Sequence, residues 1–479
     1  MTQQINKKIL LFVLLLGGFI SILNQTILNV ALSKFMEVFS VNGTTVQWLA
    51  TGFMLVNGVL IPITAFLMKR FSTRQLFLSS MLLLLIGSIF CAVAPNFAIL
   101  LTGRMIQAAG AGIIMPLMMS IVMFIFPPEK RGSAMGLVGI ALIFAPAIAP
   151  TLSGFLIEYV SWRWLFIGII PFVTLVILLA LKYLVNVNEG SKAELDIFSV
   201  ILSTLGFGLV LYGFSNAGSH GWDDVWVLTE IIGGLLVLTY FTIHQLRSND
   251  PFLNVRVFQN KTFTMTSLIN IIVTMMLYAD MILLPIYLQD GRGFTAFDAG
   301  LLLLPGAIIN ALLSPVTGKL FDRFGAKPLF IIGLLFVIPS MWVVTDLSET
   351  TTFTFLMIRT IFLRIGLSFI TMPLNTAALN ALPKELVTHG TAVNNTVRQI
   401  AGAIGTAIIV TIYTGKQTNY AVDLSAQGTT EGIKALSSIF ASGDAYYFMA
   451  ILAVLALLIT LFTPLKRPVK TEMTVEEAS

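Results

Sequence analysis

The sequence predicts an all-α polytopic membrane protein with fourteen transmembrane helices. Of its 479 residues, 57% are hydrophobic and only 11% are charged, whereas a soluble domain carries about 25% charged residues. The mean hydropathy is +0.91. Because the bilayer core offers no water to backbone N–H and C=O groups, each crossing needs a helix of about 20 apolar residues. Fourteen apolar runs meet this requirement.

The distribution of charge between these runs predicts a topology. The spans cover residues 9–32, 46–68, 75–94, 97–125, 133–158, 163–184, 197–217, 226–246, 263–288, 297–318, 328–345, 352–376, 395–415 and 446–464. Lys and Arg are enriched in cytoplasmic loops. With the N-terminus inside, nineteen Lys and Arg residues fall in inner segments and five in outer segments. Both termini are therefore expected in the cytoplasm, and the polar stretch 416–445 is expected to be an outer loop with a short helix.

Several classes of function lack support in the sequence. Cys91 is the single cysteine and lies in an apolar run, which excludes a disulfide or a cysteine metal site. His220, His244 and His389 are far apart and lack metal-ligand spacing. No G-x-x-x-x-G-K-[ST] phosphate loop is present. Lys and Arg are dispersed over short loops, so the net charge of +5 predicts no nucleic-acid partner. Neither a metal nor a cofactor is expected.

An internal repeat suggests two related halves. The segment AFLMKRFSTRQL, from Ala65, matches GKLFDRFGAKPL, from Gly318, in position and in several residues. Farther along, the tripeptide MPL at 115–117 recurs at 372–374. Six-helix halves related in this way are typical of secondary transporters. The expected division is an N-terminal half at 1–186, a linker with two additional helices at 187–250, and a C-terminal half with a short cytoplasmic tail at 251–479.

The run GKLFDRFGAK resembles the cytoplasmic loop signature of the major facilitator superfamily, roughly G-x-L-x-D-R-x-G-R/K. The resemblance implies the major facilitator fold and assigns a gating loop to Gly318, Asp322, Arg323 and Gly325. In this family the Asp and Arg make charge–helix contacts that hold one conformation and release in the other. The first copy of the motif has Lys69 where the Asp is expected. The second copy is therefore expected to dominate gating.

The fourth predicted span contains LLTGRMIQAAGAG, with Arg104, Gln107, Gly110 and Gly112. A charged residue in a membrane helix costs at least about 2.5 kcal/mol, so Arg104 is expected to face protein or a wet cavity. The run resembles the family motif R-x-x-Q-G-x-G, in which the Arg is tied to proton transfer. The alternative is a structural Arg bonded to backbone carbonyls.

The fifth predicted span carries Pro146, Pro150 and Gly154 at intervals of four, hence along one helix face. Pro kinks a helix and Gly removes side-chain bulk. The pattern partly resembles the antiporter motif G-P-x-x-G-G of exporters in this superfamily; the alternative is a kink needed only for packing. The SWRWLF segment that follows resembles the W-R-W-I-F signature of fourteen-span drug exporters.

The first predicted span contains LNQTILNVAL. It resembles the L-D-x-T-I-V-N-V-A-L-P motif of those exporters, with Asn24 in place of the Asp and Ser33 in place of the Pro. A carboxylate that could carry a proton is thus missing. Asn24 and Gln25 can hydrogen-bond either a substrate or a neighbouring helix.

Asp280 is the strongest candidate for a replacement acid. It lies well inside the ninth predicted span with no neighbouring charge in sequence. Desolvation disfavours the charged form of a carboxyl group, which would allow it to load and release a proton. The alternatives are an Asp bonded to Asn270 or Tyr278, or one near the outer interface. Glu230, in the eighth span, is a weaker candidate.

Together these motifs are similar to those of the fourteen-span drug:proton antiporters, especially the lincomycin-resistance-type subgroup. That likeness implies a bacterial cell-membrane exporter that works by alternating access, with a proton gradient as its energy source. The implied partners are lipophilic drugs, with lincosamides among the candidates, together with protons and the lipid bilayer, and a monomer is expected. Proton coupling is assigned to Asp280 and Arg104, and the substrate cavity to Asn24, Gln25, Asn57, Gln107 and Met276.

Two other functions stay open. One is export or symport of an endogenous metabolite by the same fold, which substrate competition would separate from drug export. The other is a membrane sensor or scaffold without transport, although no cytosolic segment is long enough to form a signalling domain.

Overall fold

The computed structural model describes residues 7–28, 31–187, 190, 196–427 and 432–463. Their α-helices are α1 (Lys7–Thr26), α2 (Leu32–Phe39), α3 (Gly43–Arg70), α4 (Thr73–Ala92), α5 (Phe97–Ile125), α6 (Pro128–Tyr159), α7 (Trp164–Ile167), α8 (Ile169–Tyr183), α9 (Ile197–His220), α10 (Val225–Arg247), α11 (Lys261–Ile286), α12 (Ala296–Phe324), α13 (Ala326–Trp342), α14 (Phe353–Asn380), α15 (Lys384–Ala426) and α16 (Ile433–Phe462). A 3₁₀ turn, Val255–Gln259, precedes α11, and a π-helical turn, Tyr287–Gly291, extends it.

The fourteen predicted spans all fold as helices. Within the described part of the chain, thirteen are long and apolar enough to cross a membrane, one of them formed by α7 and α8 together. The eleventh, α13, is apolar but only 17 residues long. α2 is a short helix between the first two spans that the sequence analysis did not predict.

Polar caps define where many spans begin. Ser72 and Gln75 form a capping box at the start of α4, and Thr295 and Asp298 form another at α12. Each box satisfies backbone N–H groups that the first helical turn cannot pair internally. Such residues therefore separate consecutive apolar runs into distinct helices.

The helix pairs α4–α5 and α13–α14 pack in the same way in the two halves. A Cβ atom on Gly110 would lie 2.4 Å from the carbonyl oxygen of Ser80, and one on Gly366 would lie 2.6 Å from that of Gly333. Small residues allow the two backbones to approach closely. In a membrane this close packing drives helix association, because the hydrophobic effect that drives it in water is absent. Gly366 follows Gly110 by 256 residues, in agreement with the sequence repeat.

The two additional helices, α9 and α10, pack against each other and against the side of the bundle formed by α3 and α15. The Trp48 and Tyr212 rings stack 5.7 Å apart between α3 and α9. Trp222, between α9 and α10, donates a 2.5 Å hydrogen bond to Thr411 on α15. The extra pair therefore contacts both halves.

The last two spans differ most from their predicted bounds. The stretch 416–445 was expected to be a loop with a short helix, but α15 continues to Ala426 and α16 already begins at Ile433. Polar contacts hold these extensions together: Asp444 accepts hydrogen bonds from Lys416 and from the hydroxyl of Tyr420. An amphipathic helix that leaves the bilayer keeps its backbone paired while its polar face meets water, so hydropathy alone underestimated both helices.

The gating segment is also more helical than expected. α12 continues through Asp322 to Phe324, and Gly325 alone forms the turn to α13. Gly325 has φ +79°, a conformation that favours glycine. The predicted cytoplasmic tail, beyond residue 463, lies outside the described residues, as do Asn29 and Val30 of the span-one motif.

Candidate functional site

An ion pair lies inside the C-terminal half. Asp280, on α11, accepts a 2.7 Å hydrogen bond at Oδ1 from Nη1 of Arg359 on α14. The same oxygen accepts a 3.2 Å hydrogen bond from the hydroxyl of Tyr446 on α16. Asp280 is only 1% exposed, and its Oδ2 is buried without a hydrogen-bond partner. One carboxylate oxygen of Asp280 is thus left without a hydrogen-bond partner among the described residues.

Arg359 changes the expectation for Asp280. The sequence offered no charged neighbour, so desolvation alone was expected to govern the acid, with Asn270 or Tyr278 as alternative partners. The structure instead supplies Arg359 and Tyr446 from helices distant in sequence. The guanidinium of Arg359 supplies the opposite charge that a buried carboxylate requires. The ion pair therefore joins α11 to α14 inside the C-terminal half.

A second buried arginine occupies the N-terminal half. Nη1 of Arg104, on α5, donates to Asn24 Oδ1 at 3.1 Å, to the Asn24 backbone oxygen at 3.2 Å and to Gln107 Oε1 at 2.9 Å. Gln107 in turn donates a 2.9 Å bond to Ser88 Oγ on α4. The Phe53 ring centroid lies 4.3 Å from the guanidinium carbon. Arg104 thus connects the first, second, third and fourth spans.

The two arginine clusters are related by the internal repeat. Asp280 follows Asn24 by 256 residues, and Arg359 follows Arg104 by 255. In each half, a side chain of the first span accepts from an arginine of the fourth span. The acceptor is an amide in the N-terminal half and a carboxylate in the C-terminal half. Only the second cluster therefore contains an acidic group.

The residues assigned to a substrate cavity are mostly inaccessible in this conformation. Asn24, Asn57, Gln107 and Met276 are all buried, and Gln25 is half-buried. Asn24 and Gln107 belong to the Arg104 cluster. Met276 packs in the apolar core of the C-terminal half. The structure does not bring the five together on one exposed wall, and their contact with substrate stays a prediction.

A polar latch joins the two halves at one end of the bundle. Asp322, near the end of α12, accepts hydrogen bonds from the backbone N–H groups of Gly132 at 2.7 Å and Ser133 at 2.8 Å, and from Ser133 Oγ at 2.5 Å. These donors are the fifth and sixth residues of α6. At the same end, Arg131 Nη1 donates a 2.7 Å bond to Asn380 Oδ1. α6 is thereby held against α12 and α14.

Glycines bring α6 and α12 into backbone contact beside the latch. A Cβ atom on Gly318 would lie 2.2 Å from the carbonyl oxygen of Gly132, and one on Gly136 would lie 2.5 Å from that of Ser314. Gly139 would meet the hydroxyl of Ser314. The spacing of Gly132, Gly136 and Gly139 places them on one helix face. This stripe is visible in the sequence but was not singled out.

The other predicted gating and antiporter residues are placed differently. Arg323 is exposed, and its guanidinium lies over the Phe324 ring, away from the Asp322 contacts. Pro146 is half-buried on α6, and the Pro150 side chain lies outside the described residues. Gly154 has open space where its Cβ would be. In this conformation the close-packing glycines of α6 are therefore near its start, not in the predicted motif.

The first copy of the loop motif makes a separate contact. Lys69, at the end of α3, pairs with Asp250 at 3.0 Å. Ala65 and Phe66 of α3 pack with Ala392 and Val393 of α15 in one apolar cluster. The two halves thus meet through α3 and α15 as well as through α6 and α12. The motif position carries a positive charge in the first half, at Lys69, and a negative charge in the second half, at Asp322.

A family model for the Major Facilitator Superfamily matches residues 14–406. The chain belongs to the Major Facilitator Superfamily. It is 50% identical over 413 residues to the uncharacterized MFS-type transporter YhcA of Bacillus subtilis, a match that covers 86% of this chain and 78% of YhcA. It is 41% identical to the lincomycin resistance protein LmrB of Bacillus subtilis, with 88% of each chain covered.

The solved structures agree with this major facilitator fold. The human organic anion transporter MFSD10 (TETRAN) superposes with a TM-score of 0.65 at 12% sequence identity. The match covers 94% of this chain and all of that one. At such low identity the likeness concerns the fold alone.

The networks of hydrogen-bonded polar side chains in this major facilitator were only partly recognisable from the sequence. Asn270 donates a 2.9 Å bond to Asn394, and Asn394 donates a 2.5 Å bond to Asn375. These residues link α11, α15 and α14 inside the C-terminal half. The roles of Arg359 and Tyr446 were likewise missed. The available signal was the repeat itself, since Arg359 occupies the position in the second half that Arg104 occupies in the first.

Proposed function

We propose that this major facilitator exports small lipophilic molecules from a bacterial cell in exchange for protons, with lincosamide antibiotics as the first substrates to test. The observation that supports export is the 41% identity with the lincomycin resistance protein LmrB over 88% of both chains. The likeness extends through both halves and the additional helices, so it concerns the whole transporter. The protein is proposed to act as a monomer in the plasma membrane, with both termini in the cytoplasm.

Proton coupling is assigned to Asp280 with Arg359 as its partner. A buried ion pair is stable only while both members stay charged and bonded. When a proton from outside reaches Asp280, the carboxyl becomes neutral and the bond to Arg359 weakens. Loss of that proton to the cytoplasm restores the pair. The two protonation states therefore favour different packings of α11 and α14, as alternating access requires.

The latch on α12 provides the second element of the proposed cycle. Because the loop before α6 and the end of α12 fall on the side assigned to the cytoplasm, the Asp322 contacts close the cytoplasmic end. Release of Asp322 from Gly132 and Ser133 would open the cavity inward for drug entry. Protonation at Asp280 and release at Asp322 are then two events on the same C-terminal half.

The decisive experiment measures drug-induced proton release in proteoliposomes or everted vesicles with an imposed pH gradient. The unmodified protein, Asp280→Asn and Glu230→Gln are compared at equal protein level. Glu230 is the matched control because it is a carboxylate of the additional helices, bonded to Asn216. Lincomycin-dependent release from the unmodified protein and Glu230→Gln, but not from Asp280→Asn, supports the proposal.

The other possible results test the coupling acid, the antiport and the substrate separately. Equal release from all three proteins would keep antiport but reject Asp280 as the coupling acid. Drug accumulation without proton release would reject antiport. Failure of lincomycin and of other lipophilic drugs to be transported, together with competition by a cell metabolite, would reject drug export.

A further inference from the structure

The Arg104 cluster lacks the carboxylate that its counterpart in the other half contains. Residues 1–186 include only three acids, Glu37, Glu129 and Glu158, and no Asp. Glu37 pairs with Lys34 on α2, Glu129 is in the first turn of α6, and Glu158 is exposed at its last turn. No acid of this half therefore lies within the spans beside Arg104, whereas Arg359 has Asp280.

The charge of Arg104 is buried without an ionic partner among the residues that the structure describes. Its side chain is 1% exposed, and the described residues within hydrogen-bonding distance are the uncharged Asn24 and Gln107. Phe53 offers its ring face to the guanidinium, which compensates only part of a desolvated charge. The neighbouring Cys91 is a buried thiol, and such thiols are unreactive and uncharged.

Two donors at this cluster have no acceptor. Within the described part of the chain, Nε of Arg104 and Nδ2 of Asn24 are both buried without a hydrogen-bond partner. Buried N–H groups are nearly always satisfied, and each exception calls for an explanation. Here both unmatched groups are donors, and they accompany an unbalanced positive charge. A component that accepts hydrogen bonds and carries negative charge would satisfy both donors and balance the charge of Arg104.

We propose that the Arg104–Asn24 cluster binds an anion at the unmatched Nε of Arg104 and Nδ2 of Asn24, and that this anion supplies the negative charge that Asp280 supplies beside Arg359. The site is enclosed, since Asn24 is 0% exposed, and this favours a small inorganic anion such as chloride. The same chemistry could be supplied by an acidic group of a transported molecule. The proposal concerns the N-terminal half and does not depend on which drug is carried or on proton coupling.

The test is the thermal stability of the full-length protein in detergent, without drug, as chloride replaces gluconate at constant ionic strength. A ligand that binds the native state raises Tm in a saturable way. The unmodified protein should show such a rise. Asn24→Asp should show none, because its own carboxylate supplies the negative charge and the Nδ2 donor is gone, and Arg104→Gln should show none, because the positive charge is gone. Glu230→Gln, in the additional helices, should respond like the unmodified protein.

The outcomes distinguish the two sources of the anion. A saturable chloride response that both cluster variants lose identifies a small anion. No chloride response, but stabilisation by an acidic compound such as a fluoroquinolone that both variants lose, identifies an acidic group of a substrate. If neither anion stabilises the protein, or if Asn24→Asp and Arg104→Gln keep the full response, the proposal is overturned. Using two variants protects the test against one that fails to fold.

Discussion

Arg359 donates a 2.7 Å hydrogen bond from Nη1 to Oδ1 of Asp280, and both side chains are almost completely buried. Arg359 also donates from Nε to the carbonyl oxygen of Ser340 at 2.8 Å, so its position is fixed by α13 as well as by α11. The pair is therefore a structural junction of three helices in the C-terminal half.

The first prediction concerns the stability of this pair. Breaking a buried ion pair from one side costs about 3–5 kcal/mol, because it leaves an uncompensated charge. Arg359→Gln and Asp280→Asn should each lower Tm in detergent. The double variant should lose clearly less than the sum of the two, since no charge is left unpaired. Asp444→Asn, which breaks the more exposed pair with Lys416, is the control and should change Tm less than either single variant. Strict additivity in the double variant would contradict the ion-pair interpretation.

The second prediction concerns the backbone contact between α6 and α12. Gly132→Ala and Gly318→Ala each place a methyl group where backbone atoms already lie within 2.5 Å. Overpacking of this kind costs roughly 1–3 kcal/mol. Both variants should favour a conformation in which the end of the bundle that carries the latch is open. Gly154→Ala, on the same helix but facing open space, should behave like the unmodified protein. Reaction of an impermeant thiol reagent with a cysteine placed at Asn380 measures the opening, and the native Cys91 is buried, which keeps its background low.

The third prediction concerns the latch residue Asp322. Asp322→Asn keeps the shape of the side chain but removes the charge that accepts from Gly132 and Ser133. Hydrogen bonds to a charged group are stronger than those to a neutral one, so the latch should weaken by roughly 1–2 kcal/mol. Amide hydrogen exchange across 128–140 should then become faster by about tenfold. Exchange in α9, which is remote from the latch, should stay unchanged, and a uniform increase would indicate general unfolding instead.

The sequence predicted the fold well because membrane insertion makes hydropathy nearly sufficient. Every apolar run folded as a helix, and most of the missed helical length lies in the polar extensions of α15 and α16, with α2 and the end of α12 as smaller omissions. The candidate site was harder to predict from the sequence than the fold. Arg104 and Gln107 were found because they share one helix face, and Asp322 because its motif is local. Arg359 and Tyr446 reach Asp280 from 79 and 166 residues away, and no local pattern encodes that meeting.

The asymmetry between Asn24 and Asp280 supports a final prediction, which rests on the proposed proton coupling. The two clusters share their geometry, so a carboxylate at position 24 would face Arg104 as Asp280 faces Arg359. Asp280→Asn should abolish drug-dependent proton release, and adding Asn24→Asp to that variant should restore part of it. Asn57→Asp in the same background is the control, because Asn57 is a buried amide of α3 that has no hydrogen bond to Arg104 among the described contacts. Rescue at position 24 alone would show that coupling needs one carboxylate beside a fourth-span arginine, in either half. Rescue at neither position would mean that the C-terminal cluster has further requirements, with Tyr446 as the first residue to examine, because the hydroxyl of Tyr446 shares Oδ1 of Asp280 with Arg359.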